Sequence, residues 1–220
     1  VQANTTAGFS IVEYTGNGSA ATVGHGLSSK PNWIVVKSLG TGSWYNYHSS
    51  VGATKYALWN TTSAFASSAL VWNNTEPTSS VFSLGSGDSN TNSANFIAYC
   101  WHEVEGFSKF GKYTGNGSTD GAFIYTGFKP AWIMIKSSSN TTSWFLFDNK
   151  RNPINPAGKR LVADGTFVED AGTTEAFDFL SNGFKLRNSS NGTNGSGRTY
   201  IYMAFAEHPF VGDGTSPVTA

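Results

Sequence analysis

"TGNGS" spans Thr15 to Ser19 and returns, letter for letter, at Thr114 to Ser118. Around it the echo widens in a fixed order. "GFSIVEYTGNGS" from Gly8 matches "GFSKFGKYTGNGS" from Gly106, "KPNWIVVKS" from Lys30 matches "KPAWIMIKS" from Lys129, and "SWYNYH" from Ser43 matches "SWFLFD" from Ser143. The separation of matched residues drifts from 98 at Gly8/Gly106 to 99 at Thr15/Thr114 and 100 at Trp44/Trp144, as small loop insertions between two copies of one unit would cause. A weaker match sets "NFIAYCWHEVE" from Asn95 against "TYIYMAFAEHPF" from Thr199. A unit of about 100 residues is the size of one compact domain. The sequence therefore predicts two tandem homologous domains, residues 1–105 and 106–220.

Only 13% of the 220 residues are charged and 15% are aromatic, with Gly, Ser, Thr and Asn filling the intervals. That balance suits an all-β chain with many turns. Short runs rich in Val, Ile, Tyr, Phe and Trp, each bounded by turn residues, predict strands at Phe9–Tyr14, Ala21–His25, Trp33–Lys37, Trp44–His48, Tyr56–Asn60, Val81–Leu84 and Phe96–His102. The second unit repeats the pattern at Lys109–Tyr113, Ala122–Thr126, Trp132–Lys136, Trp144–Phe147, Arg160–Val162, Phe177–Leu180, Gly183–Arg187 and Thr199–Ala206. Seven or eight strands per unit predict two β-sandwiches. "TGNGS" then reads as a tight reversal after a strand, with Asn17-Gly18 and Asn116-Gly117 supplying positive backbone angles and Gly16 and Gly115 further freedom. A phosphate cradle is not expected there, because no Lys-Ser/Thr follows and no helix opens behind the loop.

Net charge is zero and Lys and Arg are scattered, so no basic footprint for nucleic acid or anionic membrane exists. No apolar run reaches the ~18 residues that a spanning helix needs, and no signal-peptide pattern opens the chain. The start at Val1 and the polar ends lead us to expect a piece of a longer polypeptide. Cys100 is the only cysteine, which leaves no internal disulfide, and its place in "FIAYCW" predicts a buried small apolar residue. Nine Asn-x-Ser/Thr triplets occur, at Asn4, Asn17, Asn60, Asn73, Asn116, Asn140, Asn188, Asn191 and Asn194. They are glycan acceptors in a secreted eukaryotic chain, or chance products of an Asn/Ser/Thr-rich composition.

Catalytic patterns are weak. The four histidines are His25, His48, His102 and His208; His48 aligns with Asp148, and His25 reads as a turn or strand-end residue. The acidic run "DGTFVEDAGTTEAFDF", with Asp164, Glu169, Asp170, Glu175 and Asp178, lacks the spacing of a calcium loop and reads as solvated. Glu103 and Glu207 align at the ends of the last strands, and equivalent places in two units do not make a glycosidase pair; they are expected to accept backbone or tyrosine hydrogen bonds. The aligned pairs Trp33/Trp132 and Trp44/Trp144 read as core residues. Trp59, Trp72 and Trp101 have no tryptophan counterpart. In "LVWNNTEPTS" a tryptophan beside amides offers a stacking face and hydrogen bonds for a sugar, so Trp72, Asn73, Asn74 and Trp59 are the candidate glycan-binding residues, against burial of Trp72 under its own loop. No catalytic, metal-binding or cofactor-binding residue is assigned.

The strings "ANTTAGFSIVEYTGNGSAATVGHGL", "VGATKYALWNTT", "WNNTEPTSSVFSLG", "FIAYCWHEVEGFSKFGKYTGNGS" and "DFLSNGFKLR...GRTYIYMAFAEHPF" resemble a repeat family of unknown function found in virion proteins of tailed bacteriophages from marine and freshwater samples. The likeness runs from about Ala3 to Phe210, and "VGDGTSPVTA" after it has no match. It implies β-sandwiches of jelly-roll or concanavalin-like type and a virion location on tail or capsid exterior, with other virion subunits and copies of itself as partners in a homo-oligomer, often a trimer in fibres of this kind. It brings no established catalytic or binding residues. The expected function is a non-enzymatic tail-fibre or receptor-binding module that contacts host surface polysaccharide. The alternatives are a capsid decoration or fibre spacer that only self-associates and, ranked third, a depolymerase.

Overall fold

The computed structural model describes residues 1–169, 172 and 174–209. Among these residues it is all-β apart from one short helix. Two compact units emerge: Val1–Asn60 with Phe65–Glu103 form unit 1, and Thr61–Ala64 with the chain from Val104 onward form unit 2. Asp170 of the acidic run and the "VGDGTSPVTA" tail fall outside the described residues.

Unit 1 contains β1 (Gln2–Asn4), β2 (Phe9–Thr15), β3 (Ala21–Gly24), β4 (Trp33–Ser38), β5 (Trp44–His48), β6 (Lys55–Leu58), β7 (Ala66–Ser67), α1 (Ala69–Trp72), β8 (Val81–Leu84) and β9 (Asn95–Trp101). Its large sheet runs in the order β1-β2-β9-β4-β5-β6-β7, and β3 pairs with β8 in a small second sheet. The sequence reading missed β1, β7 and α1. The four residues of α1 carry no helical period, and its signals are local: Ser68 Oγ accepts the Leu70 N–H, and Asn73 closes the turn at φ 51° with its N–H on the Ala69 carbonyl. Between the sheets lies a core of Val12, Ile34, Val36, Tyr47, Phe82, Leu84, Phe96 and Ala98, with Val71 and Trp72 packed in from α1.

Unit 2 contains β10 (Ser108–Thr114), β11 (Phe123–Tyr125), β12 (Pro130–Ser137), β13 (Phe145–Asp148), β14 (Leu161–Val162), β15 (Phe177–Leu180), β16 (Gly183–Leu186) and β17 (Thr199–Ala206). Its large sheet is β10-β17-β12-β13-β14, and its small one β11-β16-β15. Matching β2 to β10, β9 to β17 and β4 through β6 to β12 through β14 makes the central order of the two large sheets the same. The core is built alike, from Ile133, Ile135, Phe147, Tyr200, Tyr202 and Ala204 on one side and Ile124, Phe177, Phe184 and Leu186 on the other. Each layer presents every second residue of a strand inward, and that alternation makes the two-layer arrangement bury its apolar set.

The repeated tryptophans refine the core reading. Trp33 and Trp144 are fully buried and Trp44 and Trp132 half-buried, yet none belongs to an inter-sheet cluster. In unit 1 they lie on the opposite face of the large sheet, which is itself aromatic: Phe9 packs on Trp101 at 5.0 Å between ring centres and Trp101 on Tyr99 at 6.2 Å. This is why β4 reads as a continuous apolar run, buried at Trp33, Ile34, Val35 and Val36 alike.

"TGNGS" is a corner between sheets, not a hairpin reversal. It takes the chain from β2 in the large sheet to β3 in the small one, and in unit 2 from β10 toward β11. A buried asparagine holds each corner. Asn90 Oδ1 accepts the Asn17 N–H at 3.1 Å, and its Nδ2 lies 3.1, 2.6 and 2.9 Å from Asn17 Oδ1 and the Ser19 and Gly85 carbonyls. Asn194 repeats this on Asn116 N, Asn116 Oδ1, Ser118 O and Asn188 O at 3.0, 3.0, 2.8 and 2.6 Å. Only the second glycine of each motif has a positive φ, 68° at both Gly18 and Gly117. Gly16 and Gly115 are required for space instead, since a Cβ there would collide with the backbone of Thr91 and of Gly195.

Candidate functional site

The four residues singled out for saccharide binding do not assemble. Trp72 is only 2% exposed, packed edge-on against Tyr47 at 6.1 Å, because α1 turns its indole into the core. No sugar can stack on it. Trp59 is half-buried within the tryptophan group, 6.5 Å from Trp33 and 6.1 Å from Trp44. Asn73 and Asn74 are exposed, and both adopt the left-handed conformation, at φ 51° and 48°, that ends α1. They serve the turn, a role Asn fills well.

The histidines serve turns too. His25 is fully buried just beyond β3; its Nδ1 accepts the Leu27 N–H at 3.1 Å, so the proton sits on Nε2, facing the Thr78 carbonyl at 3.2 Å. At the equivalent place Thr126 Oγ1 accepts the Phe128 N–H. Burial holds the His25 pKa below the ordinary histidine value. His48 Nδ1 accepts the Ser50 N–H at 3.0 Å, and the aligned Asp148 Oδ1 accepts those of Lys150 and Arg151 at 2.9 and 2.7 Å. His102 Nδ1 meets the Glu103 carbonyl at 2.8 Å, and His208 is exposed. Aligned His/Thr and His/Asp pairs thus share one task, accepting a turn N–H.

The acidic run is cross-linked within unit 2. Asp164 accepts the Trp144 N–H, Glu169 pairs with Arg151 and Lys159, Glu175 with Arg160 and Ser190, and Asp178 with Arg187. Among the described residues no group of His, Cys, Asp and Glu is placed to hold a metal ion. Glu207 departs from expectation: its partners are Lys129 at 2.7 Å and Lys150 at 3.7 Å. Cys100 is fully buried, and burial pushes its thiol up to about 12. Asn188 and Asn194 are buried with their amides bonded, so these two triplets offer no free side chain in the folded chain.

A groove that the sequence did not single out lies in unit 1, with a volume of about 480 Å³. It is lined by Ser38, the loop Gly40–Ser43, Tyr45, Asp88, Thr91, Ala94 and Phe96. Tyr45 Oη donates to Asp88 Oδ2 at 3.2 Å, and its ring packs on Tyr56 at 5.8 Å. Burial, reinforced by the Asp88 carboxylate, pushes the Tyr45 phenol up to about 12, so it stays a neutral donor at neutral pH. The groove thus offers an aromatic face, one carboxylate and the hydroxyls of Ser38, Thr41, Ser43 and Thr91.

The corresponding place in unit 2 has the same address and other chemistry. Its cavity of about 550 Å³ is lined by Ser143, Phe145, Arg160, Val162, Phe167, Val168 and Glu169. Phe145 stands for Tyr45, and Arg160 lies over its ring at 4.8 Å where unit 1 has Tyr56. Counting back from the two corner asparagines, Gly192 stands for Asp88, and a Cβ there would strike the Phe145 ring at 2.9 Å. An aspartate at Gly192 would need that ring to move. Phe167 and Val168 are 74% and 89% exposed.

The model of a family described as "Domain of unknown function (DUF7483)" matches residues 1–209 of the chain. No curated protein and no solved structure matches it. The match spans nearly the whole chain, which therefore belongs to that family.

Proposed function

We propose that this protein is a non-enzymatic virion module, part of a tail fibre or receptor-binding assembly, that attaches to host surface polysaccharide through the Tyr45 groove. One observation carries the reading: Tyr45 presents a ring and a phenol beside the Asp88 carboxylate, within a rim of hydroxyl side chains. Sugars are bound by this combination, an apolar ring face against C–H groups and bidentate or cooperative hydrogen bonds to vicinal hydroxyls. The commitment of His25 and His48 to turn N–H groups supports a binding role over a catalytic one. The shared strand order and the doubled Asn90/Asn194 corner support descent of both units from one duplicated sandwich. A single shallow groove binds weakly, and several copies in a homo-oligomer raise the effective concentration at a surface.

The test is retention on an array of bacterial surface polysaccharides, with Tyr45→Ala and Asp88→Ala as controls. Retention that drops at least tenfold in both variants supports the reading. Undiminished retention in both, or no retention of the parent chain, overturns it. A second reading, a spacer or decoration protein that only self-associates, draws on the exposed apolar tips at Phe167, Val168 and Ile154. Sedimentation of Phe167→Ser with Val168→Ser separates it, since loss of the oligomer with retained polysaccharide binding assigns these tips to subunit contact alone.

A further inference from the structure

Unit 2 has a second pocket, of about 210 Å³, on the side of the turn that follows β13. Lys129, Asn149, Lys150, Asn152, Asn155 and Glu207 are its polar lining, and Pro153 and Phe179 its apolar part. Two ammonium groups face one carboxylate: Glu207 lies 2.7 Å from Lys129 and 3.7 Å from Lys150, whose side chain is 82% exposed. The pocket carries an excess positive charge.

Asn149 is the telling residue. It is 8% exposed, and its side-chain amide makes no hydrogen bond among the described residues, with Oδ1 shut off from solvent. A buried amide without partners is unfavourable, and rotation about its last torsion sacrifices no existing bond. Asn152 keeps its own Oδ1 on the Gly158 and Lys159 N–H groups at 3.2 and 2.7 Å, which leaves its Nδ2 to donate elsewhere.

Unit 1 shows what occupies the equivalent corner there. Lys30, aligned with Lys129, holds the Glu76 carboxylate at 2.7 Å, and the same carboxylate accepts from Tyr47 Oη at 2.6 Å and the Ala53 N–H at 2.7 Å. In unit 2 these donors are replaced by Phe147 and Pro153. The amides of Asn149 and Asn152 and the ammonium of Lys150 stand on the turn in their stead.

We propose that this pocket binds one carboxylated sugar residue, of uronic or sialic acid type, with the carboxylate on Lys150 and ring hydroxyls on Asn149 and Asn152. The volume suits a monosaccharide, and ammonium and amide donors suit a carboxylate with flanking hydroxyls. The site lies in unit 2 and stands or falls independently of the Tyr45 groove.

The experiment is a titration of the ¹⁵N-labelled chain with digalacturonate, N-acetylneuraminic acid and, as the neutral control, maltose. An acidic sugar is expected to shift the Asn149 and Asn152 side-chain amide signals with millimolar affinity, weakened at least fivefold by 0.5 M salt as an ion pair requires. Lys150→Gln and Asn149→Leu should each weaken it at least fivefold, and Tyr45→Ala should leave it unchanged. Equal response to maltose, no response to either acid, or unchanged affinity in Lys150→Gln overturns the assignment. Response abolished by Tyr45→Ala but not by Lys150→Gln moves the acidic sugar to the groove of unit 1 and overturns it equally.

Discussion

Units 1 and 2 share a strand order and a corner, and differ in what they place on that frame. Where backbone geometry sets the requirement, the residues are kept: the "TGNGS" corner, its buried asparagine and the space-limited glycine recur as a set. Where only a hydrogen-bond acceptor is needed, the residue changes freely, histidine in unit 1 standing for Thr126 and Asp148 in unit 2. Where the surface alone is concerned, chemistry diverges fully, from Tyr45 with Asp88 to Phe145 with Arg160. The comparison separates what the fold demands from what a ligand could select.

The largest test of that separation is the corner. Asn90→Ala and Asn194→Ala each delete four side-chain hydrogen bonds, one to a buried carbonyl and three to part-buried groups, and each should cost its unit about 3 kcal/mol. Urea unfolding of the two variants should show similar losses. A loss near zero in either would mean that the repeated corner is not what fixes the sheet-to-sheet step.

A buried lysine gives a sharper contrast. Lys136 is fully buried, with its Nζ 3.0 Å from the Thr62 carbonyl and 2.8 Å from that of Thr142, whereas the aligned Lys37 is half-buried, with its Nζ on the Ser38 and Gly40 carbonyls. Lys136→Met should cost about 2 kcal/mol, and Lys37→Met about 0.5. Burial pulls the Lys136 ammonium down to about 8, partly countered by Asp164. Between about pH 8 and the ordinary lysine value near 10.5, the unfolded chain holds a proton that the folded chain has released, so this group's contribution to stability rises with pH across that window. The pH slope of parent minus Lys136→Met, read between pH 8 and 10, should be positive. A flat difference would show that the ammonium is not desolvated.

The smallest effect concerns acid. His25 is neutral when folded and its pKa is lowered, so its contribution is present above the ordinary histidine value near 6.5 and is lost as pH falls toward the folded value. His25→Thr, which installs the unit 2 solution, should remove part of the stability lost between pH 7 and 5, by about 1 kcal/mol or less. Unchanged acid sensitivity in that variant would break the equivalence of His25 and Thr126.

Much of the frame was legible because strands are local. Val81–Leu84, Phe177–Leu180 and Thr199–Ala206 were read from apolar runs between turn residues and form as strands with those bounds. The corner was only half legible: the repeat of "TGNGS" was plain, but Asn90 and Asn194 lie 73 and 78 residues away in sequence from the asparagines they lock. The candidate site failed for a related reason. Trp72 sits beside Asn73 and Asn74 in the chain, and one turn of helix suffices to send the indole inward while the amides stay out. Tyr45 meets Asp88 across 43 residues, a proximity that only strand pairing and the corner create.

The fully shielded Cys100, with its thiol held up near 12, has a practical corollary. Alkylating and maleimide reagents need a thiolate within reach, so the native chain is silent toward them under non-denaturing conditions. A cysteine placed at an exposed turn such as Thr119 would take a fluorophore or spin label alone, with no need to remove the natural sulfur first.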